Sequence, residues 1–539
     1  MDRVRKRYNS AKESLEGKQH LSGWVLPKQQ SSFAPDGTWT NVDMDVTPVE
    51  RRTWKSSSII GYWLSDILSA QSWEIGASVL QIGLTWREAV YCCTLGSFIM
   101  ALPIAFNGAP GAFLRVPFPI WIRASFGYHF AKFAIVVRLV TALFWTSIQT
   151  YTGGTAVTVM LTAIWPSYKN IPNYLPASAG ITSQGLLSHL LFWLAQVPFV
   201  VIRPHKLKWF FVFKAFITIT AATGTTIAIC RMAHGSGDIW DQKPTVSGWT
   251  KAWLIVSTLN AQTGSWSTVG TNISDFTRYV KNPRTIYIQT IVFPLICIWL
   301  ALLGIISASA SKRVYGEYVW DPVTLASYWT SPAGRLGAFY CGFAWIIAQI
   351  GVTVSANIIS ASNDLSSLFP KYLNLRRSAL MVSITAAWVM VPWKIVTSAE
   401  SLLNFMASLG IFLAPIIAIS IADYWIVKRR RVDVPGLYQP HGRYAYRHGF
   451  NWRACTALIV SIAPTMPSLV HNINASIDIG GAIYIADLTW YYGFLSAFLV
   501  YTVTSLLFPA QDTLLSTDEI DALEVSTETV MEKAEKSDA

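Results

Sequence analysis

A few polar and aromatic side chains lie inside long apolar stretches of this 539-residue chain, and their types suit recognition of a flat, hydrogen-bonding solute. Trp145 and Gln149 are four residues apart and so share one helical face. An indole offers a flat π-surface for stacking, and a carboxamide offers a donor and an acceptor to a ring edge. Asn357 follows small residues in Val354-Ser355-Ala356-Asn357, and Trp266 stands in the Gly- and Ser-rich run Gly264–Gly270. As plain membrane-helix residues, the amides would be interhelical hydrogen bonds and the indoles packing. Glu74 is the sharpest single residue, because a carboxylate in hydrocarbon is costly unless paired, protonated or hydrated. It suits a group that binds and releases a proton or accepts two N–H bonds from a solute; a structural hydrogen bond is the alternative. Asp66, earlier in the same stretch, is expected to be a structural or gating acid, with proton coupling as a lesser role. Asp275 and Arg278, three apart where another stretch ends, form either a local salt bridge or an inner gate latch.

The scaffold that must hold these groups is a membrane bundle. The chain is 52% hydrophobic and only 13% charged, against about 25% charged in soluble proteins. Its apolar runs reach about 20 residues, the length that crosses a hydrocarbon core. Twelve spans are expected, at about 57–84, 86–107, 129–164, 184–202, 207–232, 250–272, 285–308, 335–362, 378–397, 401–427, 453–472 and 487–509. With an even number and the N-terminus inside, cytoplasmic segments hold roughly 28 Lys and Arg and outer ones roughly 9, which sets the orientation. The net charge of +12 is concentrated at span ends, as in Arg203–Lys208, Lys371–Arg377 and Lys428–Arg431, which argues against nucleic acid as a partner.

The sequence divides into a cytoplasmic N-terminal tail (1–55), a transporter domain (56–510) and an acidic cytoplasmic C-terminal tail (511–539). Both tails are polar, expected to be mobile, and candidates for contact with sorting or ubiquitination machinery. The N-terminal segment lacks an apolar core, so the first span is expected to act as the insertion signal. Asn474-Ala475-Ser476 is a glycosylation sequon in an expected outer loop. Six cysteines without a C-x-x-C pair indicate neither a disulfide framework nor a metal site. No cofactor is expected, and the absence of H-E-x-x-H, G-x-S-x-G and Walker patterns argues against an enzyme.

Two spans look interrupted, the first at Ser72-Trp73-Glu74-Ile75-Gly76 and the sixth at Gly264–Gly270. They are five spans apart, as in folds built from two inverted five-span repeats, where unwound helices bind solute at mid-membrane.

At these residues the chain resembles the nucleobase–cation symporter-1 family, specifically its fungal uracil/allantoin/uridine/thiamine permease branch. The similarity spans residues 40–510 and rests on Asn41-Val42-Asp43-Met44-Asp45 with Pro48 and Arg52-Thr53-Trp54; on Trp145 to Gln149; on Asp275-Phe276-Thr277-Arg278-Tyr279; on Ala356-Asn357; on Asp423-Tyr424-Trp425 running into Lys428–Arg431; and on Asn451-Trp452-Arg453. The resemblance implies an all-α, twelve-helix membrane protein with a five-plus-five inverted repeat (LeuT-like), two additional C-terminal helices and alternating access. It implies a substrate stacked between Trp145 and Trp266 and held by Gln149 and Asn357. The family's span-one glutamine aligns with Glu74. The carbonyls that hold sodium in bacterial members align with Ala70, Trp73 and Ala348, and the two hydroxyl ligands with Gly351 and Val352. Neither residue carries an oxygen in its side chain, so proton coupling is expected.

The expected function is proton-coupled uptake of uracil, allantoin or a related flat pyrimidine- or purine-derived solute across the plasma membrane. A permease for a vitamin or nucleoside (thiamine, nicotinamide riboside, uridine) is the alternative, since Glu74 suits a cationic ring. A non-transporting nutrient sensor on the same fold is a third option, disfavoured by the short tails.

Overall fold

The computed structural model describes residues 24–27, 33–35, 38–202, 207–395, 397–474, 476–516 and 519. Residues 203–206 of the basic run, and the ends of the chain before residue 24 and after residue 519, lie outside the described residues. Among the described residues the chain is helical, without a β-strand.

Among the described residues, nine helices are long and apolar enough to cross a membrane: Trp86–Leu114, Ala131–Ile164, Ala177–Val201, Trp209–Met232, Pro283–Tyr315, Pro332–Leu368, Ala399–Val427, Trp452–Ile473 and Thr489–Leu507. These are spans two to five, seven, eight and ten to twelve. Spans one and six are broken into pieces too short to cross alone. Span nine is short, with helix Leu375–Ile384 widening into a π-turn at Thr385–Val389. Several spans outrun their expected ends because the helix continues past the apolar run.

Span one consists of Ser56–Ile67 and Ala70–Gln81, joined by Leu68 and Ser69 in extended or bridging conformations. This corrects the expected position of the break. Ser72–Gly76 is regular helix, and Gly76 serves close packing: a Cβ there would meet the Ala301 carbonyl of span seven at 2.6 Å. Gly304 in turn lies against the Trp73 carbonyl. Span six breaks where expected, between Gly248–Gly264 and Ser267–Asn272, with Trp266 at φ −96°, ψ 5°.

Spans one, two, six and seven pack into one group, and spans three, four, eight and nine into another. Span five touches seven and eight, span ten touches six, and spans eleven and twelve pack outside span ten. Both broken helices therefore face the seam between the groups.

The segment from Asn41 to Trp54 packs on the body instead of forming a free tail. Trp54 N–H donates to the Tyr279 carbonyl (2.9 Å), Lys281 N–H to the Trp54 carbonyl (2.7 Å) and Tyr438 Oη to the Met44 carbonyl (2.8 Å). This end of the bundle is the amino-terminal face.

Candidate functional site

A small cavity lies at the two helix breaks. Span one supplies Asp66, Ser69, Gln71, Ser72 and Ile75; span three Trp145 and Gln149; span six Ser265, Trp266, Thr268 and Val269; span eight Val352, Ala356 and Asn357. Trp145, Gln149, Trp266, Asn357 and Asp66 thus come together. Their convergence has local causes. The i, i+4 spacing puts Trp145 and Gln149 on one face. A π-turn at Thr353–Ile358 widens span eight where Asn357 projects, a distortion common at functional sites.

The amides form a half-spent network. Gln149 Oε1 accepts from Asn357 Nδ2 (2.7 Å) and Thr353 Oγ1 (3.2 Å). Gln149 Nε2 and Asn357 Oδ1 make no hydrogen bond among the described residues, leaving one donor and one acceptor for a ring edge. Trp145 packs edge-on to Phe405 (5.5 Å), and Trp266 to Phe293 (5.1 Å), so both indoles are braced from behind.

Glu74 does not line this cavity. It sits one turn beyond Gln71 on the second half of span one, 4% exposed and without a hydrogen bond among the described residues. A short helix, Pro322–Ser327, packs nearby on spans one and three, and its capping Asp321 is the charge that acts on Glu74. The amide on this part of the cavity wall is Gln71, which donates to Thr152 Oγ1 (3.0 Å) and accepts from Gln349 Nε2 (3.0 Å). Span one contributes Ser69, Gln71, Ser72 and Ile75 to the wall beyond its break, and Glu74 is not among them.

Asp275 and Arg278 form no salt bridge with each other among the described residues, which rules out the local ion pair of the two alternatives. Asp275 accepts the Phe118 N–H (2.8 Å), while Arg278 donates to the Asp43 carbonyl (2.9 Å) and lies over the Tyr279 ring. The ion pair in this region joins Arg138 of span three to Asp364 of span eight. With the Asn272 amide turned so that its oxygen faces the cation, Arg138 also donates to Asn272 of span six (2.9 Å), across the seam.

Lys214 of span five is fully buried, and its Nζ donates to the Ser65 carbonyl in the last turn of the first half of span one. Its methylenes fill the space that a side chain at Gly351 would occupy. It also interacts electrostatically with Asp66. Carbonyls at a helix C-terminus carry partial negative charge, so an ammonium here does what a bound cation would do. Both Lys214 and Arg138 were legible as charges inside apolar runs.

The family model for "Permease for cytosine/purines, uracil, thiamine, allantoin" matches residues 46–507. The chain belongs to this family. It is 38% identical over 493 residues to an uncharacterized permease of Schizosaccharomyces pombe, covering 91% of this chain and 87% of that one. It is 30% identical over 490 residues to the allantoin permease of Saccharomyces cerevisiae, covering 88% and 76%. A solved nucleobase–cation-symport-1 transporter, Mhp1, in a closed conformation with bromovinylhydantoin bound, aligns with a TM-score of 0.70 at 19% identity, covering 89% of this chain and 98% of that one.

This permease therefore has the five-plus-five, LeuT-like fold with two added C-terminal spans. It is a multi-pass membrane transporter and not an enzyme. Within that frame the span-one register moves. The carbonyl facing Gly351 through Lys214 is Ser65, whereas the Trp73 carbonyl faces span seven.

Proposed function

We propose that this permease carries a small planar nitrogenous solute, uracil, allantoin or a related pyrimidine- or purine-derived compound, into the cell together with protons. The carrying observation is the cavity itself: two braced indoles, with one unspent donor and one unspent acceptor on the Gln149–Asn357 pair. Such a cavity grips the faces of a flat ring and reads its edge. Trp145 and Trp266 stack on the solute, and Gln149 and Asn357 bond it. Lys214 supports proton coupling, because its ammonium fills the place where sodium-coupled members would hold their ion. Proton exchange at Lys214 and Asp66 then changes the charge at the end of the first half of span one. Glu74 contributes to coupling from beyond the cavity. Asp275 and Arg278 hold the amino-terminal face closed through Phe118 and the Asp43 carbonyl.

The protein works in the plasma membrane with both ends in the cytoplasm, so the amino-terminal face is the inner one. The tails, nominally 1–55 and 511–539, are where sorting or ubiquitination machinery would bind. A cationic vitamin such as thiamine is the second reading, favoured by the Asp66 carboxyl on the cavity wall.

Uptake of labelled uracil, allantoin, uridine and thiamine in permease-null cells, at two pH values and with sodium or choline, tests the reading. Uptake that rises in acid, collapses with a protonophore and ignores sodium supports it. A strict sodium requirement refutes the coupling, and no uptake of any flat nitrogenous solute refutes the substrate class.

A further inference from the structure

We propose that Gln349 of span eight is a positioning residue for selectivity: it sets which way round the Gln71 amide stands on the cavity wall, and so which edge of a solute is read there. The inference rests on the reading of that cavity as the solute site.

Three polar residues, Gln349, Thr353 and Asn357, follow one another at four-residue intervals along span eight. Each donates to a carboxamide oxygen on another span. Thr353 Oγ1 and Asn357 Nδ2 give to Gln149 Oε1 of span three (3.2 and 2.7 Å), and Gln349 Nε2 gives to Gln71 Oε1 of span one (3.0 Å). Span eight thus draws the oxygens of both wall glutamines toward itself. Gln71 Nε2 is turned the other way and donates to Thr152 Oγ1 of span three (3.0 Å). Gln71 therefore keeps one N–H on its span-three side and one lone pair on its span-eight side. A reversed amide would exchange the two and match a different solute edge.

Gln349 decides between these two orders, because Thr152 does not. A hydroxyl can accept from the Gln71 nitrogen or donate to the Gln71 oxygen, so it bonds either order equally well. Gln349 is fully buried, and in the observed order only its Oε1 is left without a partner among the described residues. In the reverse order that oxygen would accept from Gln71, and the Gln349 nitrogen would be stranded with both of its N–H groups. Orphaned buried N–H groups are rarer than under-satisfied carbonyls, so the row of amides runs one way. Gln349 does not line the cavity, and its effect on a solute passes through Gln71.

The test measures uptake in permease-null cells, with unlabelled uracil, allantoin and thiamine competing against one labelled solute. The ratio of two inhibition constants at one pH cancels both the driving force and the amount of protein at the surface. Gln349→Met conserves volume and removes the donor, which frees Gln71 to take either order. It should change the ratio for at least one pair of solutes by about tenfold, the scale of one buried hydrogen bond. Thr152→Val leaves Gln71 Oε1 on Gln349 and should change the ratio by less than about twofold. Adding Gln349→Met to Gln71→Ala should change nothing beyond Gln71→Ala alone, because the group it positions is gone; a purely structural role would not be masked in this way. Gln349→Asn, one methylene too short for Gln71, supplies the same readout if Gln349→Met does not reach the surface. An unchanged ratio in Gln349→Met, an equal shift in Thr152→Val, or a further shift on top of Gln71→Ala each overturns the proposal. A parent chain that takes up none of these solutes overturns the reading of the cavity and this proposal with it, an outcome seen before any variant is made.

Discussion

Arg138 on span three and Asp364 on span eight form an ion pair in which neither side chain has any exposed surface. Breaking such a pair leaves an uncompensated buried charge, which costs about 3–5 kcal/mol, whereas apolar replacement of both partners is often close to neutral. Arg138→Met and Asp364→Asn should each lower the thermal unfolding midpoint of the purified protein sharply. Arg138→Met with Asp364→Leu should recover most of the loss. Single variants as stable as the parent would show that the pair is not what ties these spans together.

Lys214 makes a second prediction. Lys214→Met removes the ammonium from the Ser65 carbonyl and should abolish the rise of uptake at acidic pH while the protein still reaches the surface. Adding Gly351→Ser and Val352→Thr to Lys214→Ala supplies two oxygens beside the vacated carbonyl. That triple variant should gain a sodium-stimulated component of solute binding or uptake. If Lys214→Met keeps the parent's pH profile, the coupling site lies elsewhere.

The indoles make a third. Trp145→Ala and Trp266→Ala should each abolish uptake without loss of surface protein, whereas Trp145→Phe should retain a measurable part, since an aromatic face survives. Normal kinetics in either alanine variant would remove stacking from the account.

Gln71 and Glu74 separate selectivity from coupling. Gln71→Ala alters the cavity wall and should shift the preference among uracil, allantoin and thiamine by about 1–3 kcal/mol, the scale of one lost hydrogen bond in a buried site. Glu74→Gln should leave that preference alone and flatten the pH dependence. Competition assays at two pH values read both effects. A selectivity change in Glu74→Gln larger than in Gln71→Ala would return Glu74 to the binding site.

Much of this is legible in the amino-acid sequence. Apolar length marked the twelve spans, and the i, i+4 pair Trp145 and Gln149 marked the wall of span three. The break in span six was visible because Gly264 to Gly270 is poor in helix formers. The break in span one was not, because Leu68 and Ser69 are ordinary helix residues and their extended conformation depends on the packed surroundings. Gly76 misled for the opposite reason, since its lack of a side chain serves an interhelical contact. The Arg138–Asp364 pair spans 226 positions, a separation at which one sequence carries no pairing signal.

The backbone contacts of Gly76 with Ala301 and of Gly304 with Trp73 have a mechanical consequence. Two opposed notches bring the backbones of the second half of span one and of span seven into close contact. Close-packed backbones of this kind are expected to move as one body. Leu68 and Ser69, whose backbone is already out of helix, are where a hinge between that body and the half contacted by Lys214 is expected. A bulky residue at either notch would pry that body apart and leave the cavity intact but its door unhung.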